Sequence, residues 1–554
     1  MAETAKDPKQ DGRAHDIAKS VISEHGRLSG ARGTFEAHWE ECARYVLPAY
    51  SGRFNAHSVT TPGAKKSQWQ YDTTAVTANV RFAAVMESML TPRNSRYQRV
   101  VPSNKALKKS RPVMLWFEKV TDLLFMYRNA PKANFAGQNH QNYSGLGAFG
   151  TGAMFIDKLY GEPGLRYKAI HLGEVYFAEN HQGVIDRALR RFSFTARQAF
   201  QRWGEKCPKK IQEDAEKFPE REYFFIHCVK PREDVDVERI DYRGMEYASY
   251  YVSETEQVLL EESGYRSFPY AISRYVQAPG ELYGRSPAME CLAAIKVLNE
   301  QQKTILKQGH RTVDPVLLAH DDGVLDSISL KPGSIVAGGV NGDGRALVHT
   351  LPVGNLAIAR DLMDPQRVAI NDAFLTTLFQ ILTDPRSGTT ATEILERTRE
   401  KGMLLSPTMG RQQSEYLGPL TERELDVLMQ QGLLPPMPPE LIEAKGDYTL
   451  EYDSPLSRAA KAEEAAGLMR TVEMTLQVVN VTQNPEPLDF FDWDIIVPEV
   501  ADIQAVPMRW MKSLDAVAAL RTGRKEQQDI QTAIQAGPSV AAMAKAVQPG
   551  AKAA

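Results

Sequence analysis

The chain has 554 residues, of which 43% are hydrophobic and 24% are charged. This length exceeds what one hydrophobic core can organise, so we expect several structural units with the composition of an ordinary folded protein. The 66 basic and 69 acidic residues give a formal net charge of −3, which excludes a strong overall electrostatic attraction to nucleic acid.

The cysteines and the hydropathy pattern indicate in which cellular compartment the protein is found. Cys42, Cys207, Cys228 and Cys291 are widely spaced and form no CxxC pair, so we expect neither a disulfide framework nor a zinc site, and a reducing compartment fits. The N-terminus lacks the apolar core of a signal peptide, and no apolar run is long enough to span a bilayer. The sequence therefore predicts a cytoplasmic product with no membrane segment.

The first half of the chain is predicted to be helical and then rich in short strands. In the second helical segment, Val80, Ala84 and Met89 share an apolar side. The expected helices are residues 1–30 (after a polar tail), 35–90, 113–127 and 195–203, and the expected strands are Met154–Leu159, Val175–Ala178, Glu222–Val229 and Glu246–Val252.

The centre of the chain is predicted to form two long helices on either side of a small β module. The first helix, residues 287–310, begins with Pro287, whose missing N–H costs little in a first turn, and is roughly 36 Å long at about 1.5 Å per residue. The β module follows, and its Asn341-Gly342-Asp343-Gly344 segment is a strong hairpin signal because Asn and Gly accept positive φ. The second helix is expected to end at Leu382. Apolar residues recur at helical spacing in both helices: Leu292, Ile295 and Leu298 in the first, and Ile370, Phe374, Leu378 and Ile381 in the second.

The rest of the chain is predicted as a loop, a long kinked helix, a strand and further helices. Residues 383–389 form a short loop, because Thr390-Ala391-Thr392-Glu393 is a capping box that starts the next helix. Pro407 and Pro419 should kink or split that helix. A strand at Tyr448–Tyr452, helices from Ser457 onward, one of them at Met508–Arg521, and an Ala-rich end follow.

Two long helices around a β module amount to an antiparallel hairpin with a small domain at its tip. Each helix has a narrow apolar stripe and is otherwise polar, so the hairpin alone buries little apolar surface. Lateral packing in a ring would supply the missing neighbours. An ordinary helical subdomain is the alternative interpretation of the same pattern.

No catalytic arrangement is recognisable in the sequence. Residues 145–150 match GxGxxG, but a helix-like stretch precedes them and a strand-like stretch follows, which is the reverse of what phosphate binding requires. A tight helix-to-strand turn is expected there instead. The motifs GxxxxGK[ST], HExxH and GxSxG do not occur. The pair Asp321-Asp322 is expected to lie in a solvated turn, so neither a metal site nor a cofactor is predicted.

A basic stretch from Arg93 to Arg111 contains seven Lys or Arg residues, no acidic residue and one aromatic residue, Tyr97. It could contact DNA or an acidic partner, but a solvated connection between a helix and a strand is the favoured interpretation. Arg386 raises two similar alternatives, a charge presented to a lumen or an ordinary surface arginine.

A series of short motifs occurs in order along the chain. They are Met89-Leu90-Thr91-Pro92, Phe149-Gly150-Thr151-Gly152, Tyr283-Gly284-Arg285-Ser286-Pro287, Ala294-Ile295-Lys296-Val297-Leu298-Asn299, Val313-Asp314-Pro315-Val316-Leu317-Leu318-Ala319, Asp322-Gly323-Val324-Leu325, Leu330-Lys331-Pro332-Gly333, Thr390-Ala391-Thr392-Glu393 with Glu396-Arg397, Gly410-Arg411, Pro419-Leu420 and Ser454-Pro455-Leu456-Ser457-Arg458-Ala459. Together they resemble the head-to-tail connecting (portal) protein family of the T7-like short-tailed phages, the podoviruses. The resemblance runs from about residue 15 to 460, and the chain beyond residue 460 matches poorly.

The resemblance implies an α+β portal fold, with a mixed α/β wing, a two-helix stem, a small β clip, a long kinked wing helix and a helical C-terminal crown. The implied boundaries are 1–285 for the N-terminal helices and wing, 286–312 for the first stem helix, 313–355 for the clip, 356–382 for the second stem helix, 383–389 for the tunnel loop, 390–456 for the wing with its long kinked helix and strand, and 457–554 for the crown and the Ala-rich tail.

The resemblance also implies roles for particular residues. The tunnel loop would approach DNA, the stem residues would pack the two helices, and the clip would dock the packaging motor and later the tail. The tunnel loop residues are Asp384, Pro385, Arg386, Ser387, Gly388 and Thr389. The stem residues are Leu292, Ile295, Leu298, Ile370, Phe374 and Leu378, and the clip residues are Asp321, Asp322, Gly323, Asn341, Gly342 and Asp343.

The implied function is a ring, expected to contain twelve subunits, that forms a channel at one capsid vertex and performs no catalysis. Double-stranded DNA would pass through its lumen without sequence recognition, first inward during packaging and later outward during ejection. The implied partners are the terminase large subunit, tail adaptor or tail tube proteins, and the major capsid and scaffolding proteins, without a membrane. Such a protein would be assembled in the host cytoplasm and remain in the virion at the head–tail junction.

Two other functions stay open as alternatives. A minor capsid or scaffolding protein without a lumen would have no reason for the order helix, β module, helix, loop and capping box. A nucleic-acid-processing enzyme would need a metal or phosphate motif, which the sequence lacks.

Overall fold

The computed structural model of the chain describes residues 8–54, 63–93, 95–104, 106–236, 238–319, 331–335, 339–352, 356–376, 407–444, 446–452, 455–484, 486–503, 506, 508–513 and 516–528. The chain forms two compact units, one of residues 1–97 with 124–433 and one of residues 98–123 with 434–554. Helices and antiparallel strands are mixed within the chain, which confirms the α+β class.

The N-terminal region contains the helices α1 (Pro8–Ala31), α2 (Gly33–Val46) and α3 (Thr74–Leu90). The segment predicted to be helical at 35–90 is divided, because the described residues 63–73 are not helical. The predicted apolar side of α3 is wrong, because Val80 is 53% exposed and Ala84 is exposed too. The helix instead buries Phe82 and the polar Asn79, whose amide donates a hydrogen bond to the Ser144 carbonyl. The close neighbour Gly147 has no side chain, and a Cβ there would lie 2.2 Å from the Asn79 Oδ1, so glycine is what lets this face of α3 approach α5.

The strand β1 (Gln98–Pro102), the helix α4 (Arg111–Arg128) and the helix α5 (Phe135–Phe149) come next. The GxGxxG letters fall at the end of α5 and form no phosphate loop. Gly150, with a φ of +73°, ends the helix, and a Cβ there would lie 2.4 Å from the Gly284 carbonyl oxygen. Strand β2 (Thr151–Lys158) follows at once, so the predicted helix-to-strand turn is confirmed.

Within the described residues, the strand-rich region forms two antiparallel sheets with the strand orders β3-β2-β9 and β4-β5-β6-β7-β8. The sequence predicted β2, β4, β6 and β7 to within a few residues, but not the other strands. The bounds are β3 (Leu165–Ile170), β4 (Val175–Glu179), β5 (Ile185–Thr195), β6 (Glu222–Pro231), β7 (Tyr247–Ser253), β8 (Val258–Tyr265) and β9 (Tyr270–Arg274).

Each face of the five-stranded sheet is covered by helices, because alternate side chains of β6 point to opposite faces. Phe225 packs with the predicted helix α6 (Ala196–Trp203) and with α7 (Lys209–Lys217), through Trp203 and Ile211. On the other face, Ile226 and Cys228 pack with α1. A capping box of Thr195 and Gln198 begins α6.

The predicted pair of long helices is present as α9 (Leu292–Val313) and α10 (Leu356–Ala373), preceded by a short α8 (Pro287–Glu290) that Ser286 caps. The helix α10 does not continue unbroken to Leu382 as expected. It stops at Ala373, and Leu375 adopts a left-handed φ of +58°. The tip between the helices contains the antiparallel strands β10 (Leu317–Ala319) and β11 (Val348–Thr350).

The chain is helical again from residue 407. A π-helix at Gln412–Leu417 is followed by α11 (Gly418–Gln430). The widened turn lies directly before Pro419, which has no N–H to donate to the preceding turn. The predicted irregularity at Pro419 is therefore confirmed as a π-helical segment.

The second unit contains the predicted strand β12 (Tyr448–Tyr452), which pairs antiparallel with β1. Its helices are α12 (Pro439–Glu443), α13 (Pro455–Thr482) and α14 (Trp493–Ile503). The helix expected at Met508–Arg521 differs, because a 3₁₀ turn at Met508–Trp510 and a helix at 516–528 take its place.

Candidate functional site

The candidate site is the helix pair, defined as α9 and α10, with its tip and the chain that follows it. The bases of the two helices lie in the core of the first unit, where the predicted stem residues meet α3. Phe374 is 1% exposed, and its ring lies 6.2 Å from that of Phe82. Five predicted stem residues, Leu292, Ile295, Leu298, Ile370 and Phe374, are buried within the subunit, whereas Leu378 lies outside the described residues.

A polar residue that the sequence did not single out fixes the base of α9. Asn299 is 4% exposed. Its Oδ1 accepts a hydrogen bond from the backbone N–H of Tyr71 at 2.7 Å, and its Nδ2 donates to the Trp69 carbonyl at 3.0 Å. An amide that satisfies both its oxygen and its nitrogen inside a core fixes position as well as contributing stability.

Ion pairs fix the same end of both helices. Lys296 on α9 lies 2.7 Å from Glu41 on α2. Arg367 on α10 lies 3.3 Å from Asp72, whose other carboxylate oxygen accepts the N–H of Thr74 at the start of α3. The base of the pair is thus held by packing and by charge.

The distal part of the helix pair is different, because its apolar side chains are uncovered. On α9, Leu306 is 45% and Val313 is 87% exposed, and on α10, Leu362 is 57% exposed. Scattered exposed leucines need no explanation, but a group along one structural element indicates a contact surface.

The tip carries the predicted hairpin turn. The Gly344 N–H donates to the Asn341 carbonyl at 2.9 Å, and the Asn341 N–H donates to the Arg345 carbonyl at 2.8 Å. Gly344 has a φ of +74°. The predicted clip residues Asn341, Gly342 and Asp343 are all exposed in this turn, whereas Asp321, Asp322 and Gly323 lie outside the described residues.

The predicted tunnel loop, Asp384 to Thr389, also lies outside the described residues, but the chain on both sides of it is placed. Leu375 before the loop, and Thr408 and Met409 after it, line one apolar cleft with five residues of α3. Those are Phe82, Val85, Met86, Met89 and Leu90. The described residues on the two sides of the predicted loop therefore pack beside the same helix.

The helix α11 is held by a buried ion pair. Arg128 at the end of α4 and Glu424 on α11 are both 0% exposed, and the guanidinium meets the carboxylate through two hydrogen bonds, with Nε to Oε1 at 2.9 Å. Arg128 also donates to the Tyr97 hydroxyl at 2.6 Å, and the Tyr167 hydroxyl donates to Glu424. Burial alone would lower the pKa of Arg128, but the Glu424 carboxylate raises it well above its ordinary value.

A second buried arginine holds the π-helix. Arg274 on β9 donates to both carboxylate oxygens of Glu415, at 2.9 and 3.1 Å, and also to Glu179. The Gln412 side chain donates to the Arg274 carbonyl at 2.7 Å. The bidentate contact between Arg274 and Glu415 therefore fixes the π-helix. Bidentate contacts are geometrically the most specific that arginine makes.

The basic stretch 93–111 is engaged within the protein. Arg93 lies 3.6 Å from Glu87, Lys108 lies 2.6 Å from Glu451, and Arg111 donates to the Met511 carbonyl at 2.7 Å. Its one aromatic residue, Tyr97, is buried. These contacts favour a structural role over a DNA contact. The stretch is not simply the solvated connection that was predicted, because it contains the mostly buried strand β1.

The titratable groups offer no reactive centre in the part of the chain that is placed. Burial lowers the pKa of His25 to about 4 and that of His171 to about 3, so both are neutral. Burial raises the pKa of the Cys42, Cys228 and Cys291 thiols to about 12, so none is an activated nucleophile. The described residues contain no group of three or more His, Cys, Asp or Glu suited to a metal ion. No described helix is long and apolar enough to cross a membrane.

Comparison with known proteins agrees with the motif resemblance. A family model for the bacteriophage head to tail connecting protein matches residues 18–511. The chain is 30% identical over 523 residues to a protein named probable portal protein from Bordetella phage BPP-1, which covers 92% of this chain and 91% of the relative. It is 25% identical over 533 residues to the portal protein of Salmonella phage epsilon15, with coverages of 95% and 94%. Because the family match spans nearly the whole sequence, the chain belongs to the bacteriophage head to tail connecting protein family.

Proposed function

We propose that this chain is the subunit of a ring-shaped portal, a channel at one capsid vertex through which double-stranded DNA is packaged and later ejected. The observation that carries the proposal is the helix pair, whose base is fixed in the subunit while its distal part exposes apolar side chains. Neighbours packed side by side would remove those side chains from water, which stabilises an assembly at about 25 cal/mol per Å² of apolar surface buried. The relatives that are named portal proteins support the same assignment.

Ring closure requires each subunit to present two different surfaces, one to each neighbour. In this proposal α9 and α10 are the stem, and the residues between them are the clip. Twelve copies is the number expected from the family. The exposed apolar residues of the stem that neighbours would cover are Val297, Leu306, Val313, Leu362 and Val368.

The charge balance suits a conduit. Each phosphate held by Lys or Arg adds salt-dependent affinity, so a strongly basic lumen would retain DNA instead of passing it. A chain with a net charge of −3 avoids that retention. In this proposal the tunnel loop, Asp384 to Thr389, approaches the duplex. The residues before and after it that line the cleft beside α3, Leu375, Thr408 and Met409, support it from both ends.

The remaining parts would serve assembly. The clip docks the terminase large subunit during packaging and the tail adaptor or tail tube proteins afterwards, while the wing and crown contact the major capsid and scaffolding proteins. Hydrolysis of ATP belongs to the terminase in this scheme, and the portal itself is not catalytic. The mature ring stays in the virion at the head–tail junction.

The test is to purify the chain and examine it by negative-stain electron microscopy and native mass spectrometry across a range of concentrations. Annular particles with a central hole and a single closed stoichiometry are expected. A compact monomer at every concentration, with no annular particle even after co-expression with its capsid proteins, would refute the proposal.

A further inference from the structure

The segment of residues 63–73, between α2 and α3, exposes aromatic side chains although hydrogen bonds hold the segment in place. Its backbone is held by Asn299, through the contacts to Trp69 and Tyr71 described above. The Gln70 side chain donates to the carbonyls of Arg44 and Tyr45 at 3.2 and 3.1 Å. Nevertheless Trp69 is 60% exposed and Tyr71 is 40% exposed.

Two large aromatic side chains are thus exposed on a backbone that hydrogen bonds hold in place. The hydrogen bonds of the buried Asn299 amide already restrict this backbone. A large aromatic side chain on a rigid backbone binds with little further entropy loss, and for that reason tryptophan and tyrosine dominate the binding energy of protein interfaces.

The exposed aromatic pair continues the uncovered side of the stem. Asn299, Lys303 and Leu306 follow one another at i, i+4 and i+7, so they share one face of α9. The Lys303 ammonium lies 5.5 Å from the centre of the Tyr71 ring. Asn299 is buried beneath residues 69–72, whereas Leu306, about two turns further on, is 45% exposed. Exposed apolar side chains therefore occur on this side of α9 both at its base, at Trp69 and Tyr71, and in its distal half, at Leu306.

We infer that Trp69 is the anchor by which one subunit binds the next, so that these exposed side chains are covered by a second copy of the chain. The inference rests on the proposed ring, in which lateral packing of the helix pair brings another copy against the side of α9 that carries Leu306. Stacking on nucleic acid would require unpaired bases, whereas the proposed cargo is a duplex.

The test compares the wild-type chain with Trp69→Ala, Trp69→Phe and the control Tyr160→Ala, whose side chain is 95% exposed and lies outside the helix pair. Ring formation is followed by mass photometry over a dilution series, and the folding of each subunit by circular dichroism. Trp69→Ala should raise the subunit concentration needed for half-assembly by at least about tenfold, the factor that corresponds to 1.4 kcal/mol at one interface. Tyr160→Ala should assemble like the wild type.

Fluorescence gives a second measurement, which does not depend on the alanine variant. If Trp69 is buried on assembly, the wild type shows a blue shift of tryptophan emission on ring formation that Trp69→Phe lacks. Rings of wild type and Trp69→Ala with equal half-assembly concentrations, or equal emission changes for wild type and Trp69→Phe, would overturn the inference and leave the ring intact. Absence of rings from the wild type would overturn the proposed function itself.

Discussion

The buried pair of Arg128 and Glu424 makes a sharp prediction about stability. In Glu424→Gln the volume stays the same, but the guanidinium keeps its charge in a site that is 0% exposed and loses the carboxylate that it meets there. The amide NH₂ would also face the guanidinium N–H groups, so a donor would meet a donor. Breaking one side of a buried pair costs about 3 to 5 kcal/mol, and that is the expected loss in free energy of unfolding.

Removal of both charges should cost less than the two single changes together. Arg128→Met alone leaves the Glu424 carboxylate buried with the Tyr167 hydroxyl, and it should also cost about 3 to 5 kcal/mol. The double variant leaves no buried charge. We expect its loss to fall short of the sum of the single losses by roughly 2 kcal/mol or more, as for directly interacting residues.

Equilibrium urea unfolding, monitored by circular dichroism at one pH, measures all three variants against the wild type. The matched control is Glu162→Gln, which breaks an ion pair of equally short distance, 2.6 Å to Lys132, in which the side chains are 55% and 66% exposed. Such a surface pair is worth about 1 kcal/mol or less. Two results would refute the explanation that the buried pair holds α11. One is a loss of stability in the single variants no larger than in this control, and the other is a loss in the double variant equal to the sum of the single losses.

Two further predictions concern the loop and pH. Deletion of Asp384 to Thr389 should leave rings intact but impair DNA packaging or retention, measured by nuclease-protected DNA per particle; normally filled particles would show that this loop does not contact DNA. Burial lowers the pKa of His171 to about 3. As the pH falls below about 6.5, His171 is therefore protonated in the unfolded chain while it stays neutral in the folded chain. The stability present at neutral pH is then progressively lost toward pH 3, by roughly 1.5 kcal/mol between pH 6.5 and 5. His171→Gln should flatten this slope in urea titrations, and an unchanged slope would contradict the explanation.

The local elements were predictable because their signals lie within a few residues. Ser286 and Pro287 start α8, Thr195 and Gln198 cap α6, and the Asn341–Gly344 segment makes a turn. Each depends on the conformational preference of a residue or on a hydrogen bond to a near neighbour in the chain. Such signals act in any tertiary context.

The missed strand β5 illustrates what local signals leave out. Its sequence contains three arginines, which argue against a buried strand when it is read alone. In the fold each arginine meets a carboxylate from elsewhere, and this pairing makes the strand possible. The pairs are Arg187 with Glu24, Arg190 with Glu174 and Arg191 with Glu254.

The candidate site was predictable in outline and not in its polar anchors. The apolar spacing in α9 and α10 predicted two helices, but it could not distinguish apolar residues that the fold buries from those that it leaves exposed. Asn299 interrupts the apolar stripe, and its partners lie more than 220 positions away in the chain. The partner of Arg128 is 296 residues away. The break at Leu375 was also missed, because the helical spacing of Ile370 and Phe374 continues beyond it in the sequence. The roles of the predicted loop and clip residues stay predictions.

The cleft beside α3 links two parts of the chain that are far apart in the sequence. Leu375 and Met409 both line it, together with Met86 of α3, although 34 positions separate them. A substitution at Met86 therefore acts on the packing of both. A single mutation in one helix can thus change the protein at two other places in its sequence.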